Sequence, residues 1–241
     1  MIKIEKTEVV GWEHAIRGMR NPMNSWDKSD SGQCGWIDCK DCVFEDCEME
    51  CGRIEADFDL VLGKKDHELM MKLANGGPVH AKYRRMITVY VDITAPLYWW
   101  KEFDTYKVGT VANSCSTMHK IHEKEFTLDD FSHEHLTLGH AGDFALGTCK
   151  SVDPLKNTIR FLNEYRRCYN DATDPEWKKR YFNQMIQLLP SSYNQKRTVM
   201  LNYEVLVGIY KWRKDHKLDE WREFCKWVES LLYSEVITGG K

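Results

Sequence analysis

Hydrophobic and polar positions alternate most cleanly over residues 86–93. Ile87, Val89, Val91 and Ile93 fall on one side, and Thr88, Tyr90 and Asp92 on the other. A period of two predicts a half-buried strand. Pro96 then stands at a plausible first helical position for a short aromatic helix, Leu97–Phe103. A polar loop ending in Asn113-Ser114-Cys115-Ser116-Thr117 follows. Upstream, residues 2–10 alternate with interspersed charges and predict a strand, and residues 13–19 predict a short helix. Residues 21–32, NPMNSWDKSDSG, carry the Asn, Pro, Ser, Asp and Gly of a loop. Residues 57–62 predict a short strand. Asp66 is a candidate cap for a helix through Ala74, stopped by Gly76-Gly77.

The second half of the chain reads as helical. Asp153-Pro154 opens one helix that runs to about Tyr169, and Asp174-Pro175 caps another that must end before Pro190. Residues 198–213 predict a third. Trp221, Phe224, Val228, Leu231 and Leu232 form an i, i+3, i+7, i+10, i+11 stripe, the core-facing side of a last helix. Strands in the first half and helices in the second predict an α+β fold. The expectation is one domain over residues 1–241, with a cysteine-rich insert at about 33–52.

Composition narrows the function classes. Hydrophobic content of 42% and charged content of 29% are ordinary for a globular chain. A net charge of −3 argues against a nonspecific coat on a nucleic acid polymer, but leaves room for a small basic pocket holding one nucleotide. No apolar run is long enough to span a bilayer, and the opening MIKIEKTEVV lacks the apolar core of a signal peptide. A cytoplasmic location without membrane contact is expected.

In that compartment nine cysteines read as thiols or metal ligands rather than disulfides. Cys34, Cys39, Cys42, Cys47 and Cys51 are separated by four, two, four and three residues, and Cys39 with Cys42 has metal-knuckle spacing. Tetrahedral zinc is the expected ion. The opening spacing also resembles a plant-type iron–sulfur motif without its distant fourth cysteine. The plain alternative is an acidic loop with free thiols. Cys149, Cys168 and Cys225 read as ordinary buried thiols.

Residues 80–119 carry the candidate chemistry. A strand feeding a helix and then a hydroxyl-rich loop can place backbone N–H groups and small donors around a phosphate. The order of parts resembles the flavin-dependent thymidylate synthase (ThyX) family, whose signature is written RHRxxSxNExSxRY. Here His80, the strand, Ala95-Pro96 and the helix lead to Thr105-Tyr106-Lys107 and Val108-Gly109-Thr110-Val111. After one inserted residue, Ala112, the chain continues as Asn113-Ser114-Cys115-Ser116-Thr117-Met118-His119. Thr110, Asn113 and Ser116 match the family's Ser, Asn and second Ser. Lys107 replaces the second Arg, Ser114 the Glu, Met118 the later Arg and His119 the Tyr. A glutamine found ahead of the signature in some members is Glu102 here. A second block, Leu189-Pro190, Tyr193, Asn202, Leu206 and Arg213, resembles the family's C-terminal LP…Y…N…L…R pattern. Glu204 and Gly208 stand where polar flavin ligands are expected.

The resemblance implies an antiparallel sheet with helices and FAD-dependent reductive methylation of dUMP or a related pyrimidine deoxynucleotide. Methylene tetrahydrofolate and NADPH would be co-substrates, and the family assembles as a homotetramer. Flavin carries the hard chemistry, so the protein must hold a phosphate, grip a uracil edge and stack an isoalloxazine. The resemblance assigns Lys107, Ser116, Thr117 and Glu102 to the nucleotide. It assigns Arg213 to the base as catalytic residue, and His80, Asn113 and Asn202 to the flavin. Trp99, Trp100 and Tyr106 are candidate stacking faces. Lys107 supplies a point charge without arginine's planar fork.

Each assignment has a plain structural counterpart. Ser116-Thr117 can be a helix cap, Lys107 a solvated charge, and His80 a satisfied structural histidine. Arg213 can pair with Glu204 or Asp215 on a helix face, and Trp99 and Trp100 can be core or subunit interface. The absent Glu and Arg leave a second functional reading, a non-catalytic nucleotide- or flavin-binding relative with a regulatory or interaction role. A third reading has the cysteine insert recruit a partner.

Overall fold

The alternation of residues 2–10 forms β1 (Lys3–Val10), and the apolar stripe after it forms α1 (Trp12–Arg20), in a computed structural model that describes residues 1–33, 53–54, 60–137 and 151–239. Three two-residue strands follow: β2 (Gly32–Gln33), β3 (Arg53–Ile54) and β4 (Leu60–Val61). They pair antiparallel in the order β2-β4-β3, with Gly32 and Arg53 both opposite Val61. Then come α2 (Lys64–Asn75), β5 (Thr88–Pro96), α3 (Leu97–Phe103), β6 (Thr110–Ser114) and α4 (Thr117–Lys120). The C-terminal part holds α5 (Val152–Asp171), α6 (Pro175–Leu188), β7 (Asn194–Asn202), α7 (Tyr203–Arg213), α8 (Asp219–Glu229) and α9 (Glu235–Thr238). A four-stranded sheet has the order β1-β5-β7-β6. The architecture is α+β. Among the described residues no helix is long and apolar enough to cross a membrane.

The chain divides into two compact units. The first comprises Met1–Lys3, Thr94–Asp104 and Ser114–Arg197, and the second Ile4–Ile93, Thr105–Asn113 and Thr198–Lys241. In the second unit, Ile87, Val89, Val91 and Ile93 are all buried, as the alternation predicts. Trp12, Ile16 and Met19 of α1, Met70 of α2, Leu206 and Ile209 of α7, and Trp221, Phe224 and Val228 of α8 complete its core. Each such side chain contributes about 1.5–3 kcal/mol relative to exposure. Tyr203 is buried edge-on to Trp12, with ring centroids 5.4 Å apart, and its hydroxyl donates to the Leu232 carbonyl at 2.6 Å. Burial pushes its phenol above the usual value, so it stays a neutral donor.

The first unit has its own core. Ile121, Phe126, Phe131, Leu155, Leu162 and Met185 cluster where α5 packs on α6. Asp174 caps α6, accepting from the Glu176 N–H at 2.7 Å, as the Asp-Pro start predicts. Trp99 and Trp100 are buried core side chains. Trp99 stacks on Phe103 at 5.0 Å, and the Trp100 indole N–H donates to the Gln195 carbonyl at 2.9 Å.

Three local expectations are corrected. Residues 198–213 are not one helix. Val199 and Leu201 are buried while Thr198 is exposed, a strand period that continues β7 to Asn202. The Asn202 side chain then caps α7 by accepting from the Val205 N–H at 3.1 Å. Residues 110–114 are strand rather than loop, because β6 adds to the sheet edge beside β7.

Asp66 does not cap α2, which begins two residues earlier. The cap comes from Asp30, whose carboxylate accepts from the N–H groups of Lys65 at 2.8 Å and Asp66 at 3.0 Å. Asp66 itself is fully buried. It pairs with Arg20 Nε and accepts from the hydroxyls of Ser29 and Ser31 at 2.6 and 2.7 Å. The N–H groups of Ser31 and Asp30 also donate to it, at 3.1 and 3.2 Å.

Candidate functional site

The loop at residues 105–109 and the first turns of α7 bound a cleft of about 520 Å³ in the second unit. Gly109 lets the two approach. Its φ is +78°, and an added Cβ would lie 3.1 Å from both Asn202 Nδ2 and Val205 Cγ2. An L side chain in the left-handed region costs about 1–2 kcal/mol, and the close contact adds to that. Gly109→Ala is therefore expected to destabilise the chain by at least about 1 kcal/mol, read as a lower midpoint in urea. A wild-type midpoint would show that the loop does not need this conformation.

The cleft is cationic on one side. Arg85 and Lys107 line it, both exposed and neither in an ion pair among the described residues. The start of α7 adds the partial positive charge of a helix N-terminus. Asn202 spends its carbonyl oxygen on the cap, which leaves its amide nitrogen at the cleft wall. Glu204 also lines the cleft, with Arg84 Nη1 3.7 Å from its Oε2, which has no hydrogen-bond partner among the described residues. Gly208 leaves open floor, since nothing lies within 4 Å of where its Cβ would be. Tyr106 is held from behind. Its hydroxyl accepts from Arg213 Nε at 2.8 Å, and the Arg213 guanidinium stands 4.6 Å over the Trp221 ring. Such an arrangement can seat an anion against two cations and a helix start, and can offer an amide donor to a polar ring.

Solved structures share this architecture almost end to end. A ThyX from Helicobacter pylori with FAD and dUMP has a TM-score of 0.60 and 12% identity, covering 98% of this chain and 96% of that one. Another structure of the H. pylori enzyme complexed with FAD and dUMP has a TM-score of 0.58 and 13% identity, with 96% of each chain covered. A UMP/dUMP methylase, PolB from Streptomyces cacaoi, bound with 5-Br dUMP, has a TM-score of 0.52 and 11% identity, over 99% and 94%. The chain has the ThyX fold. No protein-family model and no curated protein sequence matches it.

On this ThyX fold the residues singled out in the sequence separate. Lys107 and Asn202 line one cleft, and Arg213 stands behind it through Tyr106. Asn113 is exposed on β6, and His80 is exposed in the turn after α2, its backbone N–H donating to the Gly77 carbonyl at 3.0 Å. Glu102, Ser116 and Thr117 belong to the first unit. There the Ser116 hydroxyl caps α4 by accepting from the His119 N–H at 3.2 Å. Cys34, Cys39, Cys42, Cys47 and Cys51 lie outside the described residues. Cys225 is the buried thiol expected. Burial, with Glu229 and Asp215 nearby, pushes it up to about 12, so it stays protonated.

Sequence reasoning missed Arg85 and the bond from Arg213 that holds Tyr106, and it marked Gly208 only as standing where a polar flavin ligand is expected. The Arg84-Arg85 doublet ahead of β5 was the available signal. The structure turns Arg84 inward and leaves Arg85 exposed at the cleft.

Proposed function

We propose that the chain is a flavin-dependent pyrimidine nucleotide methylase. It takes dUMP or a related pyrimidine deoxynucleotide, uses FAD, and draws its carbon from methylene tetrahydrofolate and its reducing equivalents from NADPH. The observation that carries this reading is the correspondence, over at least 96% of the chain, with structures named for ThyX bound to FAD and dUMP and for a dUMP methylase. The donor set of the cleft fits both ligands as anions. Arg85, Lys107 and the start of α7 would hold phosphate, while the Asn202 amide and the open floor at Gly208 would receive a flat polar ring. FAD, when bound, supplies hydride. The protein's own part is to neutralise phosphate charge, fix ring orientation and keep water from the reacting face. By the same family likeness we propose a homotetramer, and from the spacing of its cysteines, zinc for the insert.

One observation favours a second reading, binding without turnover. Arg213, the expected base-reading residue, is hydrogen-bonded to Tyr106 and stacked on Trp221, and Ser114 and Met118 replace the signature's Glu and Arg. An assay with dUMP, FAD, NADPH and methylene tetrahydrofolate separates the two. The methylase reading expects a methylated nucleotide that disappears when FAD is omitted. Binding of both FAD and dUMP with no methylated product would overturn it in favour of the second.

A further inference from the structure

α1, the loop at residues 25–31 and β4 bound a pocket of about 160 Å³ that shares no lining residue with the Arg85–Lys107 cleft. That is the volume of about five liquid waters, room for a small metabolite. Glu13, Ile16, Arg17 and Arg20 line it at spacings of three and four, one face of α1. Trp26, Ser29 and Ser31 come from the loop, and Leu60 from β4.

We infer that this pocket binds a free α-amino acid with a small branched apolar side chain. Arg17 and Arg20 hold its carboxylate, Glu13 its ammonium, and Ile16, Trp26 and Leu60 its side chain. The inference stands independently of the methylase reading. The polar lining offers both signs of charge. Arg20 is only 5% exposed. A guanidinium has five N–H donors. Arg20 Nε bonds Asp66 and Nη1 bonds the Ser25 carbonyl at 3.2 Å, and its other donors have no partner among the described residues. Glu13 and Arg17 stand one turn apart, both exposed and in no ion pair among the described residues. The Ser29 hydroxyl donates to Asp66 at 2.6 Å, which leaves its oxygen as a further acceptor. An α-amino acid carries an anion and a cation on one carbon and so answers donors and acceptors together. A plain acid would meet the Glu13 carboxylate, and a plain amine would meet two arginines.

The apolar wall is formed in advance. Trp26 is 51% exposed, yet its indole N–H donates to Asn21 Oδ1 at 2.7 Å, which fixes the ring. Ile16 and Leu60 are buried beside the pocket. The loop that carries Trp26 is itself tied down through Ser29 and Ser31 to Asp66. A short branched side chain therefore finds its contacts without ordering the protein first.

Calorimetric titration of the whole chain with valine, 3-methylbutanoate and 2-methylpropylamine tests the site, because the last two are valine without its ammonium and without its carboxylate. Valine is expected to bind once per chain, and each analogue about tenfold more weakly or less. Arg17→Ala should weaken valine about tenfold, the loss of one charge-assisted contact. Glu13→Gln should bring valine down to the affinity of 3-methylbutanoate. Lys28→Ala, a cation of the same loop that does not line the pocket, should change nothing. Glu13 and Arg17 are exposed, so both variants should unfold at the wild-type midpoint in urea. The inference is overturned if valine does not bind, if either analogue binds as tightly as valine, or if Arg17→Ala binds valine as the wild type does.

Discussion

Asp66→Ala is expected to destabilise the chain by about 3–5 kcal/mol, the cost of removing one partner from a buried ion pair. Asp66 is fully buried, and the Arg20 side chain it pairs with is 6% exposed. Its loss strands the Arg20 guanidinium, the Ser29 and Ser31 hydroxyls and two backbone N–H groups without their acceptor. The loop at residues 25–31 would lose its attachment to α2, although Asp30 still caps that helix. Urea unfolding reads the effect directly. A change below about 1 kcal/mol, the level of an ordinary surface substitution, would show that the cluster contributes little.

The same cluster fixes a pH dependence. Burial acts to raise the Asp66 carboxyl, but hydrogen bonds from Ser29, Ser31 and Arg20, with the Arg20 charge, outweigh it and hold the group below its usual value of 3.8. A carboxylate depressed in the folded state adds stability that is complete above the unfolded value and is lost as pH falls through the folded one. The wild type should lose this contribution only below about pH 4. Asp66→Asn should be less stable than the wild type at neutral pH, and the difference should narrow in acid.

The second large effect concerns the first cleft. Arg85→Glu/Lys107→Glu replaces its two exposed cations with carboxylates. Lost attraction and new repulsion together should lower dUMP affinity by about 30- to 100-fold at low salt, and by less at high salt, where exposed charges are screened. Stability should stay within about 0.5 kcal/mol of the wild type, because both side chains face solvent. Calorimetric titration would show this, and unchanged affinity would place the phosphate elsewhere.

What the sequence made legible follows the reach of local patterns. Residues 86–93 read correctly because the alternation has only one buried solution, and Asp174 read correctly because a cap and its N–H partners are neighbours in sequence. Residues 198–213 did not. Their apolar content suits either element, and the change at Asn202 depends on a side chain bonding to the Val205 N–H. The Asp30 and Asp66 exchange joins positions more than thirty residues apart, which no local pattern reports.

The lining of the candidate cleft was legible in part for the same reason. Lys107 and Asn202 could be named from motif blocks, and the fold places them on one cleft. Arg85 could not be separated from Arg84 until the backbone set which side chain turned inward. Ser116 has a motif position, yet its hydroxyl is engaged as the cap of α4.

The most direct test is the absorption spectrum of the purified protein before and after incubation with FAD, with chromatography of any cofactor released on denaturation. The account predicts a flavin spectrum with FAD stoichiometric to the chain. A colourless protein that takes up no added FAD would contradict it, and would leave a ThyX fold put to some other use.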